Sequence, residues 1–350
     1  MAKRKSKTDI ENISDEEIKD GLNQKIDLGL NIDWGNVVST GSTTFDLAIS
    51  GDKVYGGGLP GGIITEFYGP SGSGKTSLLA EIAAYAQQNG GEARFADPEA
   101  RLDKEYAKIY GVSIDRKNYS RPNTVNEMFD DLWDWKPINE NGIINVSCAD
   151  SLAALSTEIE MKERDLMGMK RAKDFSEGLR KTCRIIAENN WLLVCSNQER
   201  EGAKGITTPG GKAIPYYSSL RARVAPVFQG KRIKKTKKIH GVDHEKIIGV
   251  RSKVSITKSS ISEPFREANI SIIFNYGIDD LRENLIYLKE TGNEKKYIYG
   301  DVGYTGIDRM IQHIEESDLI EDVRKSVIDR WLEIQDEFKK ITLRKKKIRK

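Results

Sequence analysis

The sequence predicts an α/β fold in which a mostly parallel, twisted sheet is covered by helices on both faces. Short apolar segments of strand character alternate with amphipathic segments of helical period between about residues 34 and 274. A glycine-rich turn at residues 69–76 joins one such strand to one such helix. With 350 residues, the chain can bury one large core and a small appendage.

The elements follow in a regular order. Residues 1–34 are polar and helix-prone, include a capping box at Ser14 to Glu17, and are interpreted as an arm outside the core. From residue 280, a small mixed module ends in a helix and a basic tail. Between them, strands are predicted at residues 62–68, 93–96, 142–149 and 191–196, helices at 77–85, 126–135 and 174–189, and antiparallel edge strands at 250–256 and 270–274.

Composition narrows the class of protein. Charged residues make up 31% of the chain, and no apolar run approaches the length of a membrane span or follows the N-terminus as a secretory signal would. We therefore expect a cytoplasmic protein without a membrane partner. Cys148, Cys183 and Cys195 lack metal-type spacing and are interpreted as reduced core residues. His240 and His244 are expected in an exposed loop.

Positive charge is concentrated in two blocks, although the net charge is only +3. These blocks are residues 231–238, in a predicted hairpin, and residues 344–350 at the C-terminus. Such runs are usually solvated, but they can also neutralise the phosphates of a polyanion. By itself, the hairpin block is equally compatible with a solvated turn and with a contact to a polyanion.

Residues 69–76 form a complete phosphate-binding loop between a strand and a helix. Gly72 and Gly74 allow the tight turn that points backbone N–H groups at phosphate oxygens, and the following helix adds the positive end of its dipole. Lys75 is predicted to neutralise the β- and γ-phosphates, and the Thr76 hydroxyl is predicted to ligate Mg²⁺. The sequence thus predicts that the chain binds a nucleotide.

Three further strand ends supply polar groups at the edge of the sheet where α/β proteins bind ligands. The Glu99 carboxylate is placed to polarise a water for attack on the γ-phosphate. Asp150 ends a strand in the position of a Walker B carboxylate and is predicted to hold Mg²⁺. Gln198 ends a third strand, where its amide can sense the γ-phosphate. A long glycine-rich segment, residues 199–221, follows it and is predicted to be a functional loop.

The ordered series of motifs between about residues 38 and 266 resembles that of RecA-type DNA recombinases, in particular phage-encoded ones. The series includes Ser39 to Ser42, Gly58 to Gly62, the phosphate loop, Glu99 with Asp103 and Tyr106, Asp150 to Leu155, Asn197 and Gln198, Gly210 to Ala213, Tyr216 to Arg221, and Lys258 followed by Pro264 and Phe265. The resemblance implies a RecA-like ATPase core.

The resemblance also assigns roles at the ATP site. Glu99 is the implied catalytic base, with Lys75, Gln198 and Lys258 as further catalytic residues, and Lys258 acts on the ATP of a neighbouring subunit. Asp103 and Tyr106 contact the adenine, and Thr76 and Asp150 hold Mg²⁺. The implied nucleotide-binding residues are Gly69, Pro70, Ser71, Gly72, Ser73, Gly74, Lys75, Thr76, Ser77, Asp103 and Tyr106.

Two mobile loops are implied to line a DNA channel, one near residues 161–171 and one at residues 199–212. Their lysines and arginines can meet phosphates, and their glycines let the backbone approach the strand. The predicted DNA-binding residues are Lys162, Arg164, Met167, Gly168, Lys170, Arg171, Arg200, Lys204, Gly210, Gly211 and Lys212.

The implied function is that of an ATP-dependent recombinase that forms a helical homo-oligomeric filament on single-stranded DNA and exchanges strands with homologous duplex DNA. Single-strand-binding and loader proteins are expected partners. The expected domains are a polymerisation arm (residues 1–34), the ATPase and DNA-binding core (35–279) and a small C-terminal domain with the basic tail (280–350). Alternatives are a RecA-like hexameric helicase motor and a non-catalytic accessory protein. Ser260 departs from the family pattern, which has a second lysine there.

Overall fold

The computed structural model describes residues 32–102, 104–115, 117–157, 168–202, 205–228, 230 and 232–342. Contacts group the chain from Trp34 onward into one compact unit, to which all the elements below belong. Residues 1–31 of the arm, which include its predicted capping box, lie outside the described residues, as does the basic tail at residues 344–350.

Ten strands of the described residues form one sheet with a parallel and an antiparallel part. Six strands run parallel, in the spatial order β10 (Leu220–Pro226), β3 (Ile63–Gly69), β7 (Leu192–Gln198), β6 (Val146–Ala149), β4 (Ala93–Ala96) and β5 (Tyr119–Ser120). Beyond β10 the sheet continues antiparallel through β12 (Val242–Ser259), β13 (Glu267–Ile273) and β14 (Gly277–Ile278), and β11 (Arg232–Ile239) pairs with β12. The predicted antiparallel edge is confirmed.

Short two-stranded sheets and helices complete the described part of the chain. The small sheets are β1 (Val37–Val38) with β2 (Leu59–Pro60), β8 (Arg200–Gly202) with β9 (Gly205–Thr207), and β15 (Tyr297–Tyr299) with β16 (Val302–Tyr304). The helices are α1 (Thr43–Ser50), α2 (Lys75–Gln88), α3 (Lys104–Tyr110), α4 (Val125–Asp134), α5 (Gly168–Asn189), α6 (Ala213–Tyr217), α7 (Asp280–Thr291), α8 (Ile307–Glu316) and α9 (Ile320–Thr342).

Helices cover both faces of the sheet, as predicted. Ile64 on β3 belongs to an apolar cluster with Phe129 of α4 and Phe175 of α5, whose rings meet edge to face at 6.3 Å. Phe67 points to the other face, where its ring lies 5.7 Å from that of Phe45 in α1. Residues an odd number of positions apart on a strand face opposite sides, so β3 is buried on both.

The C-terminal elements have an apolar cluster of their own and also contact the sheet-flanking helices. Met310 and Ile314 of α8 pack with Leu285 of α7. Further along, α9 places Val327 and Trp331 against Leu47 of α1. This second cluster therefore joins α9 to α1.

Two sequence-based predictions need correction. The strand predicted at residues 142–149 begins only at Val146, because the Asn145 side chain accepts from the backbone N–H of Glu92 (2.7 Å) and donates to the carbonyl of Ile138 (2.6 Å). Residues 168–171, expected in a loop, form the first turns of α5. The cysteines are free thiols, with Cys148 and Cys195 buried. Within the described ranges, no helix is both long and apolar enough to span a bilayer, and no cluster of metal-ligating side chains was found.

Candidate functional site

The phosphate loop lies where β3 ends and α2 begins, in the middle of the parallel strands. Gly72 and Gly74 have φ angles of +71° and +96°, which favour glycine. A Cβ on Gly74 would also lie 2.1 Å from Cδ1 of Ile272 on β13. Glycine at position 74 therefore serves both the turn and the close approach of the antiparallel part of the sheet.

Lys75 folds back over the loop that precedes it. Its Nζ donates to the carbonyl oxygens of Gly69 (3.0 Å) and Pro70 (2.7 Å). Burial lowers the pKa of Lys75, and the charge of Asp150 opposes this effect. The ammonium group is thus held at the centre of the turn, where an incoming phosphate would find a cation and a ring of N–H donors.

Thr76 and Asp150 meet at the base of the cavity. The Thr76 hydroxyl donates to Oδ2 of Asp150 at 2.6 Å, and the Ser196 hydroxyl of β7 donates to Oδ1. Asp150 is only 5% exposed, and burial raises its pKa. A buried carboxylate beside a hydroxyl is the kind of oxygen donor set that Mg²⁺ binds with phosphates. These residues fit the predicted metal site.

Glu99 is held by a turn that Asp97 organises. The buried Asp97 carboxylate accepts hydrogen bonds from the backbone N–H groups of Arg101 (3.1 Å) and Leu102 (2.9 Å). On the cavity side, the Ser151 hydroxyl donates to Oε1 of Glu99 at 2.9 Å, and Arg101 forms an ion pair with Oε2. Both oxygens of Glu99 are therefore oriented by partners on the rim of the cavity.

Gln198 lies beside the first residue of the phosphate loop. It pairs with Gly69 in the β3–β7 register, and the next backbone N–H, that of Glu199, donates to the Gly69 carbonyl at 3.2 Å. The preceding Asn197 donates from Nδ2 to Oε1 of the buried Glu66 (2.9 Å) and to the carbonyl of Pro209 (3.1 Å). The end of β7 is thus bonded both to the phosphate loop and to Pro209, in the middle of the glycine-rich segment.

A cavity of about 350 Å³ brings these groups together. Of the residues assigned to the site from the sequence, it is lined by Ser71 to Ser77, Glu99, Tyr106, Asp150 and Gln198, but not by Gly69 or Pro70. Its lining also includes Arg101, Ile109, Tyr110, Ser151, Val250, Ile272, Ile273, Phe274 and Asn275. Tyr106 and Tyr110 lie one helical turn apart on α3 with ring centroids 5.0 Å apart, and the Tyr110 hydroxyl donates to Ser77 at 2.8 Å. Apolar and aromatic walls next to a phosphate loop suit a nucleotide base.

Sequence reasoning missed part of this wall. Tyr110 lies four residues after Tyr106, but no helix was predicted at this position, so the spacing alone did not place both rings on one face. Phe274 and Asn275 could not have been found, because they follow β13 and reach the cavity only through the pairing of the antiparallel strands. Asp103, the other predicted adenine contact, lies outside the described residues.

Lys258 is not among the described residues that line the cavity. It lies on β12, where its Nζ donates to the carbonyls of Pro215 (2.8 Å) and Tyr216 (2.9 Å) at the end of α6. Burial and the nearby Arg221 lower its pKa. Tyr216 itself is 76% exposed. Ser260 follows β12 and donates its backbone N–H to the Ser219 carbonyl at 2.8 Å.

The predicted DNA-binding residues fall into two groups. Lys162, Arg164, Met167 and Lys204 lie outside the described residues. Gly168, Lys170 and Arg171 are in the first turns of α5, Arg200 is on β8, and Gly210, Gly211 and Lys212 precede α6. A Cβ on Gly211 would lie 3.1 Å from Cβ of Ala172. The ends of the two predicted loops therefore meet where α5 contacts the start of α6.

The fold and the cavity define the class of P-loop ATPases. More narrowly, the RecA N-terminal domain model matches residues 12–279, and curated bacterial proteins match most of the chain. Protein RecA of Thermus aquaticus is 33% identical over 309 residues, covering 84% of this chain and 85% of the relative. Protein RecA of Clostridium acetobutylicum is 34% identical over 287 residues, covering 78% of this chain and 75% of the relative. Protein RecA of Staphylococcus aureus strain Newman is 34% identical over 250 residues, covering 69% of this chain and 67% of the relative.

The chain belongs to the RecA family. It is an ATP-dependent recombinase that uses ATP with Mg²⁺ in DNA recombination and repair, and the family forms filaments on DNA. The comparisons do not favour the helicase motor or the non-catalytic accessory protein. The relatives named here are bacterial, and the expected phage origin stays a prediction.

Proposed function

We propose that this recombinase hydrolyses ATP only when a filament on single-stranded DNA completes the site, and that hydrolysis is coupled to strand exchange with homologous duplex DNA. The observation that carries the proposal is the cavity itself. Lys75, Thr76, Glu99, Asp150 and Gln198 line one space, and Gln198 opens the segment that we expect to contact DNA.

At the phosphates, each group has a distinct task. The N–H groups of the loop and Lys75 bind the β- and γ-phosphates, which requires Nζ to exchange the carbonyls of Gly69 and Pro70 for phosphate oxygens. Thr76 and Asp150 would hold Mg²⁺, whose charge neutralises the phosphate oxygens. Glu99 orients the attacking water and takes its proton. The Ser151 hydroxyl keeps that carboxylate aimed into the cavity.

Coupling to DNA starts at Gln198. A hydrogen bond from its amide to the γ-phosphate would shift the end of β7, and the bond from Asn197 to the Pro209 carbonyl carries this shift to the other end of the segment at residues 199–212. Gly210 and Gly211, with φ angles of +92° and +64°, then turn the chain into α6. A change of nucleotide at Gln198 is therefore transmitted to the segment that we expect to contact the DNA strand.

The site is completed by a second subunit. In its own subunit Lys258 bonds to the end of α6 rather than to the cavity, next to the exposed Tyr216. We infer that this surface faces the ATP of the neighbour in the filament and that residues 1–34 dock on an adjacent core. Single-strand-binding and loader proteins act on the same filaments, and the protein works in the cytoplasm.

The decisive experiment compares ATPase rates with and without single-stranded DNA for the wild type and for Glu99→Gln. Removing a general base lowers the rate by about 10²- to 10⁴-fold. We expect Glu99→Gln to lose DNA-stimulated hydrolysis to this extent while still binding ATP and forming filaments. The matched control is Glu105→Gln, an exposed carboxylate on α3, which should hydrolyse ATP like the wild type. A wild type indifferent to DNA, or an active Glu99→Gln, would contradict the proposal.

A further inference from the structure

Arg101 is a cation at the rim of the ATP cavity that none of the sequence motifs includes. It lines the cavity, and its guanidinium forms the ion pair with Oε2 of Glu99. The Arg101 side chain is 53% exposed, whereas that of Glu99 is 19% exposed. An ion pair with so exposed a partner is weak, because water competes for its charges. The guanidinium can therefore exchange its carboxylate partner for another anion at little cost.

The turn after β4 fixes Arg101 beside the cavity. Ala100, which precedes it, has a φ angle of +54°, a left-handed conformation that alanine rarely adopts. The N–H of Ala100 donates to the carbonyl oxygen of Asp97 at 3.1 Å, and the N–H of Arg101 donates to the Asp97 carboxylate at the same distance. The backbone of Arg101 is therefore held in place whether or not its guanidinium is paired with Glu99.

The charges around the cavity favour a second cation near the phosphates. Among the described residues that line the cavity, the charged ones are Lys75, Glu99, Arg101 and Asp150. Burial and, to a smaller extent, the charge of Arg101 lower the pKa of Lys75, so the two cations lie close enough to interact. With Asp150 neutralised by Mg²⁺, the carboxylate of Glu99 still faces the γ-phosphate, and the two negative groups repel each other. A cation beside Glu99 offsets this repulsion.

We propose that Arg101 is a ligand of the γ-phosphate in its own subunit, and that ATP binding moves its guanidinium from Oε2 of Glu99 to the phosphate oxygens. The planar guanidinium presents parallel N–H groups that match a phosphate as well as a carboxylate, so the exchange keeps its hydrogen bonds. Lys75 would make a parallel exchange, leaving the carbonyls of Gly69 and Pro70 for the phosphates.

The same exchange makes Glu99 available as a base. The hydroxyl of Ser151 donates to Oε1 at 2.9 Å independently of Arg101, so the carboxylate keeps its orientation when the guanidinium leaves. Oε2 then has a free acceptor site for a hydrogen bond from the attacking water. With ADP, which has no γ-phosphate, the guanidinium stays on Glu99 and Oε2 stays occupied. The base is thus released only when ATP fills the cavity.

This inference rests on the proposed function, in which Glu99 is the general base, but its test measures binding and needs no hydrolysis. The variants are Arg101→Gln, Glu99→Gln and the double variant. The matched control is Lys108→Gln, which removes a positive charge that is 71% exposed on α3 and does not line the cavity. Each full-length protein is titrated calorimetrically with a non-hydrolysable ATP analogue and, separately, with ADP, both in the presence of Mg²⁺.

We expect Arg101→Gln to bind the ATP analogue roughly tenfold more weakly, because a charge-assisted hydrogen bond to the γ-phosphate is lost. Its affinity for ADP should stay at the wild-type value, which also shows that the variant is folded. In the Glu99→Gln background, Arg101→Gln should cause the same loss, since the guanidinium acts on the phosphate itself. Glu99→Gln alone should bind the analogue at least as tightly as the wild type, and Lys108→Gln should match the wild type.

Four results would overturn the inference. The first two are an unchanged affinity of Arg101→Gln for the analogue and an equal loss of affinity for ADP. The third is a loss that disappears in the Glu99→Gln background, which would show that Arg101 only neutralises that carboxylate. The fourth is a Glu99→Gln variant that binds the analogue more weakly than the wild type. Undiminished hydrolysis by Glu99→Gln would instead contradict the proposed function, and the titrations would still report the phosphate contact.

Discussion

Glu81 on α2 is a buried carboxyl group whose ionisation opposes folding. Burial raises its pKa to about 7, while the backbone N–H of Ile278 donates to Oε1 at 3.1 Å and the charge of Asp280 adds to the increase. Burial likewise raises the pKa of Asp46 to about 7. At pH values between the pKa that these two carboxyl groups have in the unfolded chain and pH 7, the folded chain keeps protons that the unfolded chain has released. These groups therefore stabilise the fold less as the pH rises through this window.

Replacing Glu81 with Gln should remove part of this pH dependence. The amide keeps an acceptor for the Ile278 N–H and does not ionise, so Glu81→Gln should raise the free energy of unfolding by roughly 2 kcal/mol at pH 8 and change it little near pH 4. Urea denaturation at both pH values measures the difference. Glu105→Gln, on an exposed site, serves as the control and should show no such dependence. An equal change at both pH values would show that packing, not ionisation, is responsible.

At the scale of elements, α4 and α5 approach each other at a glycine. A Cβ on Gly178 in the middle of α5 would lie 2.1 Å from Cδ2 of Phe129 on α4. Phe129 is 1% exposed and also contacts Phe175, so its ring has little room to move. Glycine inside a helix costs about 1 kcal/mol relative to alanine. At this position the close packing of the two helices offsets that cost.

Gly178→Ala should therefore destabilise the protein despite its better helix propensity. We expect a loss of roughly 2 kcal/mol in the free energy of unfolding, the usual cost of overpacking a core. Denaturant unfolding is the measurement, and the neighbouring exposed Glu177→Ala is the matched control, which should be neutral or slightly stabilising. If Gly178→Ala is as stable as that control, the contact with Phe129 does not prevent a larger side chain at position 178.

The elements also show what sequence patterns can predict. The strand at Ala93–Ala96 has the predicted bounds, because apolar runs and glycines mark buried strands clearly. The predicted start of β6 was wrong because the side chain of Asn145 bonds to two backbone groups. A sequence pattern does not reveal such hydrogen bonds. In the cavity, Glu99 and Asp150 were placed by the rule that strand ends meet at one edge. Arg101 was not predicted to line the cavity, because its ion pair with Glu99 depends on the turn that Asp97 organises.

At the scale of the whole molecule, the ATP site and Lys258 lie on different surfaces. The cavity is at the carboxyl ends of β3, β6 and β7, whereas Lys258 is near the end of β12, beside α6. A single subunit thus offers a phosphate site in one place and a lysine in another. A helical filament can bring the lysine of one subunit to the cavity of the next, since head-to-tail contacts join different surfaces.

This arrangement predicts complementation between two inactive variants. Lys75→Ala should abolish hydrolysis because the phosphates lose their cation, and Lys258→Ala should abolish it because the neighbour's site is incomplete. In an equal mixture, an intact cavity from a Lys258→Ala subunit meets an intact lysine from a Lys75→Ala subunit at about one interface in four when assembly is random. We therefore expect DNA-stimulated ATPase activity of roughly a quarter of the wild type from the mixture. If the mixture stays as inactive as its components, while both variants still assemble together on DNA, then Lys258 acts within its own subunit.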